Sequence, residues 1–175
     1  MGLQNIVDRV LLKLVRNHEE SDFLRRRFQK LYDIEIGAHS YGAFDRWRIA
    51  PGTRIGRYCS FAGSVMVIST NHPMQALSTH PIFYLKSRGV IPENRVVGRP
   101  TVIEDDVWIG HQAIITPGCK RIGRGAVIGG NVFLTKSIAP DTKVSVKNQA
   151  LRYNQGKREI QEIEAYPDAA WFYVI

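Results

Sequence analysis

The feature that most constrains the fold is a six-residue period that runs from position 97 to position 139. Each repeat opens with an aliphatic residue, and a small or β-branched residue stands four places later, as Thr101 follows Val97. One extra residue, Arg121, interrupts the phase. The opening residues are Val97, Ile103, Ile109, Ile115, Ile122, Ile128 and Leu134. A fixed period of six predicts a β-helix, in which short strands coil and turn at each repeat.

An earlier block has the same pattern and ends at a polar pair. Its opening residues are Ile49, Ile55, Phe61 and Val67, after a degenerate repeat at Ile36. Four places after Val67 stands Asn71, the first large polar side chain to break the inward pattern, and His72 follows it. Residues 73–96 carry no repeat, although the residues around Phe83 make them too apolar for a solvated tail. A stretch of this length without periodicity is typical of a functional loop.

The segment before the repeats has helical periodicity. Apolar residues between Leu3 and Val15 recur at three- and four-residue spacing, with charged residues such as Asp8 on the opposite face. A second helix is predicted to begin after Ser21, a suitable N-cap. Because a terminal coil exposes apolar surface and unpaired strand edges, we expect these two helices to cover it.

The C-terminal part is predicted to form a short helix over 157–165, followed by the apolar cluster WFYVI at 171–175. This cluster should pack on the coil or on a neighbouring subunit. The predicted units are a helical cap over 1–33, a coil over 34–148 with an excursion loop at 72–96, and a tail over 149–175.

Composition mainly constrains the choice of partner. The 175 residues carry a formal net charge of +8, which is typical of proteins with an anionic partner, or simply of a solubilising surface. Basic residues are not interleaved with aromatics, so we expect no nucleic-acid partner. No stretch approaches the ~18 apolar residues of a membrane span, and no secretory signal is visible, so a cytoplasmic protein is expected. A membrane-surface role for the first helix remains an alternative.

The two cysteines, Cys59 and Cys119, each stand four places after the opening residue of a repeat. That place points inward at a corner of the coil, where a small residue fits. We therefore expect both cysteines to be buried packing residues and to form no disulfide.

The repeats, the break STNHPMQALSTHPIFY, the resumption VIEDDVWIGHQAIITPG and the run IGRGAVIGGN resemble the hexapeptide-repeat acyltransferases. The similarity is to the xenobiotic (streptogramin and chloramphenicol) acetyltransferases in particular, and to related polysaccharide O-acetyltransferases. It covers roughly 34–148. The resemblance implies an all-β-dominated fold built on a left-handed parallel β-helix, a homotrimer, acetyl-CoA as donor and active sites between subunits.

The resemblance aligns His72 with the family's catalytic base, and neutral imidazole suits that role because it accepts a proton near pH 7. The residues implied on the substrate side are Asn71, Ser78, His80 and Trp108. The oxyanion is expected to be held by a loop donor such as the Ser78 hydroxyl or a backbone N–H, and His80 is expected to line the pocket. Trp108 is expected to form a wall of the cleft or, alternatively, part of the trimer interface.

The coenzyme A contacts are also implied by resemblance. Gly129, Gly130 and Asn131 resemble a small-residue segment along which the pantetheine arm lies, since missing side chains permit close approach. The basic residues near enough in chain order to meet the phosphates are Lys136, Lys147 and Arg152. Where the family has a Gly-Asn-Pro-Ala-Lys-like motif, this chain reads VSVKNQALRY, which keeps Asn148 and Ala150 but lacks the Gly and Pro.

The implied reaction is direct transfer, because neither cysteine is expected to be accessible and no Gly-X-Ser-X-Gly motif exists. The acceptor is expected to be a sugar hydroxyl of a surface polysaccharide, with an antibiotic as the alternative within the same chemistry. Two further readings are a zinc hydratase, which needs three histidines from among His72, His80 and His111, and a non-catalytic scaffold. No metal is expected.

Overall fold

The computed structural model describes residues 3–89 and 91–145. Within them the chain forms helices α1 (Leu3–Leu14) and α2 (Asp22–Tyr32), 3-10 turns at His18–Glu20 and Pro81–Phe83, and two-residue strands. The strands are β1 (Glu35–Ile36), β2 (Arg54–Ile55), β3 (Ser60–Phe61), β4 (Met66–Val67), β5 (Val102–Ile103), β6 (Trp108–Ile109), β7 (Ile114–Ile115), β8 (Arg121–Ile122), β9 (Val127–Ile128), β10 (Phe133–Leu134) and β11 (Lys143–Val144). The predicted β-dominated fold with N-terminal helices is confirmed.

The strands form three parallel sheets. The first sheet has the order β1-β2-β5-β8, the second β3-β6-β9-β11 and the third β4-β7-β10. From β2 to β10 the chain visits the first, second and third sheet in turn, and each of the strands from β2 to β7 pairs with the strand three places later. The result is a three-sided coil, and from β2 to β10 each turn of the coil contributes one strand to each side.

The inward positions of the repeats fill the coil, as the hexads predict. The opening residues from Ile103 to Leu134 are at most 1% exposed, and Ala113 and Cys119 at the fourth place are fully buried. Glycine at the second place is needed because successive coils lie close together. A Cβ at Gly110 would lie 2.6 Å from the backbone nitrogen of Gly130 on the next coil.

The expectation that the coil resumes at Val97 is wrong. Val97 is 81% exposed, whereas Thr101 is 1% exposed and Val102 begins β5. The reason is a hydrogen bond at the base of the excursion, where the Arg99 N–H donates to the Ser69 carbonyl at 2.7 Å. Residues before Arg99 therefore still belong to the loop.

Helix α2 begins where its N-cap predicts. The Ser21 hydroxyl oxygen accepts a hydrogen bond from the Leu24 N–H at 3.3 Å, which satisfies one of the unpaired donors of the first turn. Leu24 and Phe28 are buried in the core, and α2 packs against β1, the end strand of the first sheet. These apolar residues link the helix to the coil.

Helix α1 differs from the prediction at Asp8, which is buried instead of lying on a solvent-facing side. Its carboxylate accepts hydrogen bonds from Arg27 Nε at 2.9 Å and from the Tyr32 hydroxyl. Burial and this bond to Asp8 raise the pKa of Tyr32. A buried carboxylate is tolerated when such partners are present, so Asp8 joins the two helices.

None of the helices in the described part is long and apolar enough to cross a membrane. The predicted helix at 157–165 and the apolar cluster at 171–175 lie outside the described residues.

Adjacent residues of β7 give a test of the coil. Ile115 is fully buried and Ile114 on the same strand is only partly buried. We predict that Ile115→Ala lowers the free energy of unfolding by about 2–5 kcal/mol, because it leaves a cavity in a packed interior. Ile114→Ala, the matched control, should cost clearly less in equilibrium denaturation. Equal losses would mean that the strand's inward and outward faces are wrongly assigned.

Candidate active site

His72 lies just beyond a corner of the coil. It follows β4 in the third sheet, and the excursion that contains it closes at Ser69 and Arg99 before the chain enters β5 in the first sheet. Three residues of chain span at most about 11 Å. The position of His72 is therefore tied to the corner between the third and first sheets.

The imidazole of His72 is held through one nitrogen. Its Nδ1 lies 2.7 Å from the Thr79 carbonyl oxygen and 2.8 Å from the Tyr84 hydroxyl oxygen. A carbonyl oxygen can only accept, so Nδ1 carries the proton and donates it to these oxygens. In the neutral ring Nε2 is then the basic nitrogen. The His72 side chain is itself exposed, which is what a base that meets a substrate needs.

Sequence reasoning did not single out Tyr84. Its side chain is 6% exposed, and its ring meets that of His72 edge to face at a centroid distance of 5.7 Å. Its backbone is also fixed, since its N–H donates to the Pro81 carbonyl and its carbonyl accepts from the Arg95 N–H. The only sequence signal was an apolar cluster in the excursion, which could not indicate which aromatic turns towards His72.

Ser78 and His80 have local roles that the sequence did not reveal. The Ser78 Oγ accepts a hydrogen bond from the His80 N–H at 3.1 Å, and His80 Nδ1 accepts one from the Ile82 N–H at 3.3 Å. His80 is thus the N-cap of the 3-10 turn Pro81–Phe83. Since Ser78 accepts in its bond, its own O–H remains a donor. Asn71 is exposed.

Trp108 lies on the outer face of the second sheet and is 47% exposed. The register places Ser60 beside it and Tyr41 beside Ser60, and Tyr41 is 51% exposed. Neighbouring strands lie about 4.8 Å apart, so the two aromatic residues stand about 10 Å from each other across a small serine. We call these three residues the aromatic strip. Tyr41 was not predicted because its neighbours come from other coils.

Within one copy His72 and Trp108 lie on opposite sides of the coil. A three-sided coil has one corner opposite each side, and the corner tied to His72, between the third and first sheets, is opposite the second sheet. Trp108 points outward from that second sheet, whereas Ile109 beside it points inward. The chain alone therefore does not bring these two predicted site residues together.

Gly129, Gly130 and Asn131 form the corner between the second and third sheets. The prediction is that the missing side chains let a pantetheine arm lie close to the backbone, and the structure shows in addition that the two Cβ positions face neighbouring coils. A Cβ at Gly129 would lie 3.0 Å from the Val144 carbonyl, and one at Gly130 would lie 3.1 Å from the His111 carbonyl. Neighbouring coils therefore crowd both Cβ positions. Asn131 has φ 59° and donates its N–H to the His111 carbonyl at 2.8 Å.

The basic residues predicted for the phosphates are only partly described. Lys136 is exposed just after β10, while Lys147 and Arg152 lie outside the described residues, as do Asn148 and Ala150.

His111 is exposed, with its Nδ1 3.2 Å from the Ser64 hydroxyl. Over residues 3–89 and 91–145, no three His, Cys, Asp or Glu side chains are grouped so that they could hold a metal ion.

Both cysteines are buried and carry free thiols, as predicted. Burial raises the pKa of the Cys59 thiol, and it raises the pKa of Cys119 to about 11. Cys59 Sγ lies 3.0 Å from the Glu104 carbonyl oxygen, to which it donates. Thiols in this state are poor nucleophiles.

Comparison with known proteins finds similarity to hexapeptide-repeat transferases. The family model described as "Bacterial transferase hexapeptide (six repeats)" matches residues 100–136. A chloramphenicol acetyltransferase of Escherichia coli is 33% identical over 127 residues, covering 67% of this chain and 58% of the relative. A galactoside O-acetyltransferase of Lactococcus lactis is 32% identical over 91 residues, covering 52% and 37%. A solved maltose O-acetyltransferase from Clostridium difficile 630 aligns with a TM-score of 0.47 and 29% identity, covering 65% and 54%.

The sequence comparisons show that this chain is similar to the hexapeptide-repeat acetyltransferases. The chain spans about half the length of the curated relatives it matches.

The burial of the cysteines leads to a prediction for thiol labelling. With a pKa of about 11, Cys119 is ionised in about one molecule in a thousand at pH 8, and the thiol is also covered. We expect an aromatic disulfide reagent to label neither cysteine at that pH in the folded protein, and both after denaturation, in a colorimetric assay. Rapid labelling of the folded protein would contradict the burial of the inward corner positions.

Proposed function

We propose that the protein is an acetyl-CoA-dependent O-acetyltransferase that transfers the acetyl group directly to a hydroxyl, with His72 as general base. The observation that carries the proposal is the fixed tautomer of His72. Its Nδ1 proton is engaged by the Thr79 carbonyl and the Tyr84 hydroxyl, so the basic lone pair is on Nε2, on a side chain exposed to a substrate.

In this mechanism Nε2 accepts the proton of the acceptor hydroxyl as its oxygen attacks the acyl carbon. The imidazolium that forms is stabilised by the two oxygens that face Nδ1, on Thr79 and Tyr84. The C–O bond of the ester forms, the C–S bond of the thioester breaks, and the proton on Nε2 passes to the departing thiolate. Each transfer regenerates neutral His72. The buried Cys59 and Cys119 are not needed.

The donor supplies an activated acetyl group as a thioester. The proposed contacts for it are the backbone at Gly129, Gly130 and Asn131, and the basic side chains of Lys136, Lys147 and Arg152. At this corner Gly130 and Asn131 are exposed, and so is Lys136. Because the Gly129 and Gly130 Cβ positions face other coils, the pantetheine arm would meet main-chain atoms there. Ser78 is the proposed oxyanion donor, since its O–H remains available.

The assembly is part of the proposal. The three-sided coil is taken as a left-handed parallel β-helix, with a helical cap at 1–33, the coil at 34–148 and a tail at 149–175. His72 and Trp108 lie on opposite sides of one copy. A homotrimer, in which each copy sets its His72 corner against the second sheet of a neighbour, would bring them into one cleft.

For the acceptor we propose a sugar hydroxyl of a surface polysaccharide or its precursor, modified in the cytoplasm. The aromatic strip supports this, because the C–H groups of a pyranose pack well on aromatic faces and the roughly 10 Å between Tyr41 and Trp108 leaves room for one ring over Ser60. An antibiotic such as chloramphenicol is the second candidate, favoured by the names of several relatives.

The base assignment predicts the kinetics of two substitutions. His72→Ala should lower kcat by about 10²–10⁴-fold, the usual contribution of a general base. Tyr84→Phe should have a much smaller effect, because the Thr79 carbonyl still fixes Nδ1. The measurement is the rate of acetyl-CoA turnover, monitored as release of the free coenzyme A thiol. The acceptors are a panel of hexoses, oligosaccharides and chloramphenicol.

The matched control is His39→Ala, the same change at an exposed histidine that pairs with Glu20 and stacks on Tyr58, away from the excursion. It should retain the parent rate. A loss of less than tenfold in His72→Ala would remove His72 as the base. Turnover with chloramphenicol and with none of the sugars would favour the second acceptor class.

A further inference from the structure

Helix α1 has an outer apolar face with no role in the proposed chemistry. Ile6, Val10 and Leu14 are spaced four residues apart, so they lie on one side of the helix, and they are 53%, 48% and 71% exposed. The opposite side of the helix packs against the core through Leu11 and Val15. The helix thus has one apolar side towards the coil and another towards solvent.

The exposed charged residues of α1 all have one sign. Arg9 and Lys13 are exposed and neighbour Ile6 and Val10 on the helical surface, and Arg16 is exposed just beyond the helix end. The single carboxylate of α1, Asp8, is turned inward and paired with Arg27. The outer surface of α1 therefore combines an aliphatic row with an adjoining row of cations.

An aliphatic row beside a row of cations favours one class of partner for α1 over two others. Two copies of the chain placed face to face through α1 would bring Arg9 and Lys13 of each close to the other, which like charges oppose. A polyanion such as a nucleic acid would use the cations and leave the aliphatic row in water. A lipid surface with anionic headgroups uses both rows at once, because the apolar row enters the acyl boundary while the cations remain at headgroup level.

We propose that α1 docks the protein on the surface of an anionic phospholipid bilayer, lying in the plane of the interface through Ile6, Val10 and Leu14 with Arg9 and Lys13 at the headgroups. This inference does not rest on the proposed chemistry. Because α1 is joined to α2 through Asp8 and Arg27, and α2 is packed on β1, docking would hold the first coils near the lipid surface.

The test is cosedimentation of the full chain with vesicles of phosphatidylcholine alone or mixed with phosphatidylglycerol. We expect binding to the mixed vesicles that weakens as salt is raised. Neutralising Arg9→Gln or Lys13→Gln should each weaken the partition coefficient by about fivefold, and Val10→Asp should weaken it by at least about tenfold. Val97→Asp, the same change at an exposed valine in the excursion, should bind like the parent.

Each alternative result overturns the proposal. Equal binding to neutral and mixed vesicles, or parent-like binding of Val10→Asp, would show that α1 does not recognise an anionic surface. If no vesicle binds and Val10→Asp instead changes the elution volume in gel filtration, the face belongs to an interface between copies. Should circular dichroism show Val10→Asp unfolded, the two Gln variants decide, since both replace exposed cations.

Discussion

The structure depends on the close stacking of successive coils. Every coil places its strand residues on the previous coil in unshifted register, so that Ile103 stands over Ile55 and Ile122 over Ile103. Backbone hydrogen bonds such as Ile68 N–H to the Ile115 carbonyl run between coils throughout. Since the interior is filled by side chains that repeat every six residues, a break in the repeat has a fixed place in space. The excursion begins at such a break, and its base is closed by the Arg99–Ser69 bond.

The regular part of this arrangement follows from sequence because it is periodic. An isoleucine at every sixth position can be buried together only if the chain turns at the same interval, and Ile103 through Leu134 are buried accordingly. The helices were predictable from a cap and an apolar face. Val97 shows the limit of the six-residue pattern. It stands six residues before Ile103, as the repeat requires, but it is exposed because the hydrogen bond that closes the excursion lies at Arg99, two residues further on.

The sequence pointed to His72 as the centre of the candidate site, but not to the geometry around it. His72 stood out because it follows the first polar break in the inward positions. The partners that fix its tautomer, Thr79 and Tyr84, come from a loop with no period, so nothing in the sequence could indicate how they fold back. The ligand role of the corner at Gly129 and Gly130 is implied by the resemblance alone, and the close approach of neighbouring coils to both Cβ positions is visible only in the structure.

The central claim is that His72 of one copy acts beside Trp108 of another, because a single coil holds them on opposite sides. It is tested most directly by co-expressing His72→Ala and Trp108→Ala subunits with different tags and purifying the mixed assemblies. Every mixed trimer has both natural residues at one of its three interfaces, so we expect the purified mixed assemblies to recover roughly a third of the parent turnover. Activity that stays at the level of the single variants would contradict a site shared between copies.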